Sequence, residues 1–304
     1  MTSDALVLPR SRRRHDWVAR IAPVLVVTLA LIAIWYVAAL VMNATMARDA
    51  FERSQAAYGV LDLIDASWNA ERPLLPAPHQ ILHEFTKSVT TNPPGSPRSL
   101  LYHSWVTLSS TFLGFAIGAI FGTVLAVLIV HVRTLEKSLL PWIICSQMVP
   151  ILAIAPIVIV VLGSMGIRGL LPKSIISAYL CFFPVTIGMV KGLTSPDPIQ
   201  RDLMRTWSAT SAQIFWKLRW PASVPFLFAS LKVAIAISLV GAIVGELPTG
   251  AQAGLGARLL AGSYYGQTVQ MWAALFAAAL LAAILVTVTG IVERLVIRRM
   301  GGRP

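Results

Sequence analysis

Six apolar stretches, each long enough to cross a lipid bilayer, constrain the fold of this chain more than any other feature. A transmembrane helix needs about 20 predominantly apolar residues. The stretches are Ile21–Met42, Trp105–Val130, Leu139–Leu162, Leu170–Val190, Pro225–Gly245 and Met271–Val292. Only 12% of the 304 residues are charged, against about 25% in soluble domains. Because lipid leaves no partner for free backbone groups, the sequence predicts an all-α, polytopic membrane bundle of six transmembrane helices.

The placement of Lys and Arg predicts the orientation of these helices, because cytoplasmic loops carry an excess of both residues. With the N-terminus inside, the inner segments hold 16 of the 25 Lys and Arg residues. We therefore expect a multi-pass membrane protein with both termini cytoplasmic. Residues 1–20 form a basic cytoplasmic tail and 21–304 the transmembrane domain, with an outer insertion at 43–100 and a cytoplasmic loop at 191–224.

The net charge of +12 would suggest nucleic acid in a soluble protein. Here it follows from the membrane topology, so no nucleic-acid partner is expected. The basic cluster at 10–15 instead adjoins the first apolar stretch, where anionic membrane lipid attracts basic residues.

Glycines and prolines inside the apolar stretches predict how the helices pack. Gly114, Gly118 and Gly122 are four residues apart, which lets a second helix approach closely. The third stretch contains Pro141, Pro150 and Pro156, and the fourth contains Pro184. Proline frees backbone carbonyls that need a neighbouring helix or a water-filled cavity. We expect kinked helices around an internal path.

Two ionisable residues lie in or at the end of the fifth stretch. Lys232 lies about 10 Å inside the fifth stretch, where it can either snorkel or pair with another helix, or contact a permeating solute. Glu246 directly follows the same stretch, where it either caps the outer end of the span or belongs to a gate. Since 14 residues separate the two, about 21 Å along a helix, they cannot pair with each other.

The segment Lys191–Val224 interrupts the apolar sequence with polar and basic residues. Asp197 followed by Pro198 is typical of a helix N-cap and first helical position. Behind them, six residues recur at helical spacing and give one largely apolar face: Leu203, Trp207, Ser211, Ile214, Phe215 and Leu218. One continuous apolar face on a basic helix is expected to fill a partner's groove. The alternative is a helix that lies on the lipid headgroups.

The outer segments carry weaker signals. Residues 43–72 are consistent with one or two short amphipathic helices that lie at the outer membrane interface. A further helix is expected at His79–Thr90. The glycine-rich stretch Gly245–Thr268 is either a re-entrant or gate-forming hairpin or a plain flexible loop. It lacks the glycine spacing of a phosphate-binding loop.

Catalytic motifs are missing from the sequence. No GxxxxGK[ST], HExxH or GxSxG occurs, and the spans contain no Asp. Cys145 and Cys181 lack metal-ligand spacing and are expected to be apolar fillers, so no metal or other cofactor is predicted. We expect a protein that is not an enzyme. A proton-driven carrier would need acidic residues within its spans, so an energy source on another subunit is favoured.

Several motifs resemble ABC-importer permeases of the nitrate/sulfonate/taurine type. Asp202-Leu203-Met204, then Ser208-Ala209-Thr210 and Trp220-Pro221, is similar to the cytoplasmic EAA signature, with Leu and Met for two small residues and Ser for Gly. Further similar segments are LLPAPHQIL, TLSSTFLGFAIGAIFGTVLAVLI, VPILAIAPIVIVVLGSMGI, FFPVTIGMVKGL, and IVGE followed by AGLG. The resemblance covers most of the chain after Leu74, while the insertion Asn43–Arg72 departs from it.

The resemblance implies a type I ABC-importer permease of the cell inner (plasma) membrane that forms a homodimer. It also implies separate ATP-binding cassette ATPase subunits and a periplasmic or lipid-anchored solute-binding protein. The EAA segment then forms a helix-turn-helix that docks on the ATPase. The matching coupling positions are Asp202, Leu203, Trp207, Ser208, Ala209, Thr210 and Pro221. The implied solutes are nitrate, sulfonate or taurine-like compounds or a pyrimidine-type vitamin precursor. A non-transporting scaffold or receptor-like subunit is the alternative; a secondary carrier would need inverted repeats, and none is visible.

Overall fold

The structure is a computed structural model that describes residues 13–248 and 253–301, with side chains from residue 21 onward. Every regular element in these ranges is helical, which confirms the predicted all-α class. The helices are α1 Arg13–Ser54, α2 Val60–Trp68, α3 Pro78–Thr90, α4 Leu100–His131, α5 Arg133–Ser146, α6 Ile151–Ser164, α7 Leu170–Thr194, α8 Pro198–Thr206, α9 Ser211–Ile214, a π-helical turn Phe215–Arg219, α10 Trp220–Glu246, α11 Leu255–Tyr264 and α12 Thr268–Arg299.

Five helical stretches in the described ranges are long and apolar enough to cross a membrane: Ile21–Ser54, Leu100–His131, Leu170–Thr194, Ser211–Glu246 and Thr268–Arg299. The predicted third span, Leu139–Leu162, is not one helix. It is divided between α5 and α6, which are bent by 98° relative to each other. Counting that pair as one broken span gives the predicted six.

The break between α5 and α6 has a physical cause in one of its three prolines. Pro150 is the N-cap of α6, whereas Pro141 and Pro156 lie inside α5 and α6 without ending them. A residue before proline is biased away from the helical conformation, so Val149 is a poor helix continuation. The predicted kink is therefore a break at one proline and a tolerated irregularity at the other two.

The chain divides into two compact units, Met1–Glu84 and Phe85–Pro304. In the first unit α1 begins at Arg13, inside the predicted 1–20 tail, of which residues 1–12 lie outside the described residues. Its 42 residues continue past the apolar stretch to Ser54. The expected short helices of 43–72 are this extension and α2, and the expected helix at 79–90 is α3.

A buried asparagine ties α2 and the following segment to α1. The Asn43 amide nitrogen donates to the carbonyls of Ser67 (3.1 Å) and Leu75 (2.9 Å). Its oxygen accepts from the backbone N–H of Leu74 (2.8 Å) and Leu75 (3.3 Å). With all its hydrogen-bonding groups used, Asn43 fixes α2 antiparallel to the end of α1.

In the second unit α4, α7 and α10 pack most closely, through glycines. A Cβ added to Gly114 would lie 2.4 Å from the Ser177 Cβ, and one added to Gly122 would lie 2.6 Å from the Phe182 carbonyl oxygen. Gly118 approaches α7 in the same way, with the Ala178 oxygen at 2.8 Å. The predicted packing role of this glycine strip is confirmed. On the other side of α7, Gly188 and Gly192 admit α10.

Candidate functional site

The segment from Asp197 to Pro221, called here the polar segment, begins as its sequence predicts. The Asp197 carboxylate accepts a hydrogen bond from the Ile199 backbone N–H at 2.9 Å, and Pro198 is the first residue of α8. A side-chain acceptor at this position satisfies one of the free N–H groups at the start of a helix. The helix then ends at Thr206, earlier than the apolar pattern suggested.

A left-handed residue ends α8 and turns the chain. Ser208 has φ +55°, a conformation that glycine usually supplies at helix C-termini. The Ala209 N–H donates to the Met204 oxygen at 3.0 Å and the Ser208 N–H to the Arg205 oxygen at 2.9 Å. Ser208 occupies the glycine position of the EAA signature, and it makes the turn at some cost in backbone strain.

A second short helix starts at once. Thr210 and Gln213 form a reciprocal capping box, in which the Gln213 side chain accepts from the Thr210 N–H at 2.8 Å and Thr210 accepts from the Gln213 N–H at 3.3 Å. The expected single apolar face from Leu203 to Leu218 is therefore wrong. The chain forms a helix-turn-helix, as the family resemblance implied, because the cap at Thr210 and the turn at Ser208 override the periodic pattern.

The two halves of the polar segment have different surroundings. Ile199, Leu203 and Trp207 are exposed, the Trp207 side chain by 79%. Phe215, in contrast, packs against the buried cluster that contains Val185, Met189 and Leu193. The second half is thus anchored to the bundle, and the first half presents apolar side chains outward. Of the predicted coupling residues, Asp202, Leu203, Trp207, Ser208 and Thr210 are exposed, and Ala209 and Pro221 are half-buried.

Charges around this exposed surface are mostly positive. Asp202 pairs with Arg205 at 3.5 Å, but both side chains are more than two-thirds exposed, so the pair contributes little to stability. Arg201, Lys217 and Arg219 add further positive charge. The surface is apolar at its centre and basic around it.

A second cluster surrounds Glu246 at the other end of α10. Its carboxylate is fully buried and accepts hydrogen bonds from the Thr107 hydroxyl (3.0 Å) and the Gly256 N–H (2.8 Å). The Lys173 ammonium lies 3.7 Å from it and donates to the Ala253 carbonyl at 3.2 Å. Glu246 therefore joins α4, α7 and the start of α11.

These contacts cap the N-terminus of α11. Its Gly256 N–H is bonded to Glu246, while the Leu255 N–H donates to the Thr107 hydroxyl at 2.8 Å and the Gly254 N–H to the His103 Nδ1 at 3.0 Å. Helix N-termini need such acceptors, and negative charge there is favourable. Glu246 does cap a helix, but the helix is α11 and not its own.

Two glycines allow this close approach. Gly254 has φ +127°, and a Cβ added there would lie 2.2 Å from the Glu246 Cδ. A Cβ on Gly256 would lie 2.3 Å from the Ile243 carbonyl oxygen. The spacing of IVGE and AGLG therefore reflects direct contact between them. Residues 253–267 form α11 and its caps, so they are not a plain flexible loop, and 249–252 lie outside the described residues.

Lys232 forms an ion pair with Glu293, which lies on α12. Pairing with another helix was one of the two structural alternatives for Lys232, and its partner was missed in the sequence. Glu293 follows the predicted sixth span by one residue, and that position was the available signal. The Lys232 side chain is 35% exposed and that of Glu293 is 16% exposed.

The predicted candidates thus lie in three separate places: the polar segment, the Lys232–Glu293 pair and the Glu246 cluster. Sequence reasoning also missed the partners of Glu246. Lys173 lies four residues into the fourth span and Thr107 three residues into the second. Only the three-dimensional packing of α4, α7 and α10 brings them together.

Comparison with known proteins gives consistent matches. Residues 114–302 match the profile of the family described as "Binding-protein-dependent transport system inner membrane component". The chain is 33% identical over 157 residues to a "Probable ABC transporter permease protein" of Haemophilus influenzae, a stretch that is 52% of this chain and 62% of that protein. The match thus spans less than two thirds of that protein's length.

Two further relatives have more specific names. The formylaminopyrimidine transport permease protein ThiX of Halalkalibacterium halodurans is 30% identical over 184 residues, 60% of this chain and 68% of ThiX. The riboflavin transport system permease protein RibX of Chloroflexus aurantiacus is 27% identical over 228 residues, 74% of this chain and 80% of RibX.

Proposed function

The chain belongs to the family of binding-protein-dependent transport system inner membrane components, and we propose that it is the permease subunit of an ATP-driven importer for a small solute. This family consists of transport components and not of enzymes. In the proposal, ATP hydrolysis takes place on a separate ATPase subunit, a solute-binding protein delivers the solute, and two copies of this chain form the path. The family match favours this function over a non-transporting scaffold.

The exposed helix-turn-helix of the polar segment carries the proposal. Its first half presents Leu203 and Trp207 to solvent, while Phe215 fixes its second half to the bundle. A large exposed aromatic residue on a rigid support is typical of an interface anchor. We propose that α8 and the turn at Ser208 dock on the ATPase subunit, with Asp202, Ala209, Thr210 and Pro221 at the edge of the contact.

We propose that both termini and the polar segment are cytoplasmic and that the Glu246 cluster lies on the outer side. The excess of Lys and Arg in the inner segments supports this orientation. Topology-reporter fusions check this orientation. Fusion points at Arg133 and Arg219 should be reported on the cytoplasmic side of the membrane, and a fusion point at Asn92 on the outer side. A fusion at Arg219 that is active outside would exclude the proposed docking.

For the solute, we propose a small organic molecule, such as a pyrimidine-type vitamin precursor. ThiX and RibX, by their names, serve formylaminopyrimidine and riboflavin. Lys232, the basic residue deepest in the spans, is already paired with Glu293. Its charge is therefore balanced and offers little to a strong anion. Nitrate and sulfonate-like compounds are the alternatives that a binding assay with the solute-binding protein would test.

We propose that Lys232 has a structural role. Lys232→Met leaves Glu293 without its partner, and we expect the free energy of unfolding to fall by about 1–2 kcal/mol, since the pair is only partly buried. The double variant Lys232→Met, Glu293→Gln should recover stability and keep uptake within about twofold of wild type. A tenfold loss of uptake in a double variant of normal stability would show instead that Lys232 contacts the solute.

Reconstitution tests the whole proposal. The permease should co-purify with an ATPase subunit, and proteoliposomes that contain both should accumulate solute only with ATP and the solute-binding protein present. A secondary carrier would transport with an ion gradient and no ATPase. A scaffold would bind partners without any uptake.

A further inference from the structure

The outer extension of α1 and the antiparallel helix α2 form a helical hairpin that the transport function above does not explain. We call residues 43–68 the outer hairpin. In it Asn43, Ala47 and Phe51 lie one helical turn apart and are buried or half-buried towards α2. From α2, Leu63 and Ile64 are half-buried and Ser67 is fully buried. The hairpin therefore has its own packed seam.

Both ends of the hairpin are fixed. At the base, the Trp68 indole N–H donates to the Tyr36 carbonyl at 3.1 Å, and Asn43 bonds the backbone at Ser67. At the tip, the Phe51 and Tyr58 rings stack with centroids 4.7 Å apart. The Asp62 carboxylate accepts from the Gly59 N–H at 2.8 Å, which caps α2. These contacts hold the two helices of the hairpin together and fix the position of its tip.

The tip exposes apolar side chains. Val60 is 75% exposed and Leu61 is 81% exposed. Neither side chain lies on the face of α2 that packs against α1. Two adjacent exposed aliphatic side chains on a capped and clamped helix indicate a contact that the isolated chain does not make.

The height of the tip argues against lipid as that contact. The predicted first span ends at Met42, next to Asn43. Asn43 binds the Ser67 carbonyl, and Leu61 is six residues before Ser67 on α2, so Leu61 lies about 9 Å farther out than Asn43. The headgroup region is about 5–8 Å thick on each side, so Leu61 lies beyond it.

The charge of the insertion points to the chemistry of the partner. Residues 43–72 contain five Asp and Glu and three Arg, a net charge of −2 in a chain of net charge +12. An acidic outer element with an apolar tip fits a surface that is basic around an apolar centre. In the proposed importer the soluble protein that approaches this side is the solute-binding protein.

We propose that the outer hairpin is a docking site for the solute-binding protein, with Val60 and Leu61 as its apolar contact and the surrounding carboxylates facing basic residues of the partner. This inference rests on the proposed transport function. It assigns a role to the insertion Asn43–Arg72, to which the family resemblance gives none.

The test uses the permease–ATPase complex in lipid nanodiscs and titrates the purified solute-binding protein. Leu61→Arg removes the apolar contact and places positive charge against a basic surface, so the Kd should rise at least tenfold, while ATPase activity without the binding protein stays unchanged. Leu74→Arg is the matched control, because Leu74 is also exposed, by 56%, but lies near the base at Asn43. Its Kd should change less than twofold.

A photo-crosslinker at position 61 gives an independent result. It should form an adduct with the solute-binding protein itself. An adduct with lipid or with a second copy of this chain, or an unchanged Kd for Leu61→Arg, would overturn the docking role and leave the proposed transport function intact. If the solute-binding protein failed to bind or stimulate the wild-type complex at all, the proposed transport function would fail and the docking role with it.

Discussion

Glu246→Ala is expected to lower the free energy of unfolding by about 3 kcal/mol, because removing one partner of a buried ion pair leaves the other without its counter-charge. The substitution would leave the Lys173 ammonium without its carboxylate and the Gly256 N–H without an acceptor. The start of α11 would then lose its bond to the end of α10, while its bonds to Thr107 and His103 of α4 would remain. Denaturant titration of the detergent-solubilised protein, followed by tryptophan fluorescence, measures the change.

A second variant separates charge from hydrogen bonding, and a third is the control. Glu246→Gln keeps an acceptor for Gly256 and removes the charge, so its effect should lie between wild type and alanine. Glu136→Ala, at an exposed glutamate of α5, should change stability by less than about 0.5 kcal/mol. If Glu246→Ala changed the free energy of unfolding as little as Glu136→Ala, the buried network around Glu246 would not stabilise the fold.

Trp207→Ala should weaken binding of the ATPase subunit by about 2 kcal/mol, or about 30-fold in Kd, as expected for an aromatic interface anchor. The fold should be unaffected, because the side chain is 79% exposed and packs on little of its own chain. Co-purification of the ATPase and ATP-driven uptake should both fall, while the amount of permease inserted into the membrane remains normal.

Trp142→Ala provides the matched control for this variant. Trp142 is also highly exposed, by 76%, but it lies on α5 outside the polar segment. It should leave the ATPase affinity unchanged. ATPase recovery with Trp207→Ala at the wild-type level would favour the alternative in which α8 lies on the lipid headgroups.

Local sequence signals predicted much of this structure. The lengths of the apolar stretches predicted the transmembrane helices, and Asp197-Pro198 predicted the start of α8. Both predictions succeed because span formation and helix capping depend on residues that are close in sequence. The strip Gly114, Gly118 and Gly122 gave the packing of α4. The EAA resemblance gave the helix-turn-helix, which the apolar period alone misrepresented as one helix.

What depends on distant residues was not predictable from the pattern. Thr107 and Glu246 are 139 residues apart in sequence, and no local feature of either specifies the other. The break at Pro150 was missed for a different reason. Three prolines share that stretch, and only tertiary packing decides which of them a helix tolerates. The residues 43–72 were predicted to contain helices, but their antiparallel pairing depends on Asn43, which binds backbone groups 24 to 32 residues away.

The glycine strip of α4 has a consequence for the order in which the protein is made. Its contact surface on α7 includes Ser177 and Phe182, and α5 and α6 are synthesised in between. About 60 residues separate Gly122 from Phe182, so at about 5–20 residues per second the strip waits several seconds in the bilayer before its partner emerges from the ribosome. Until α7 arrives, the strip lacks the surface against which its glycines pack. A ribosome that stalls in this window leaves α4 without that partner.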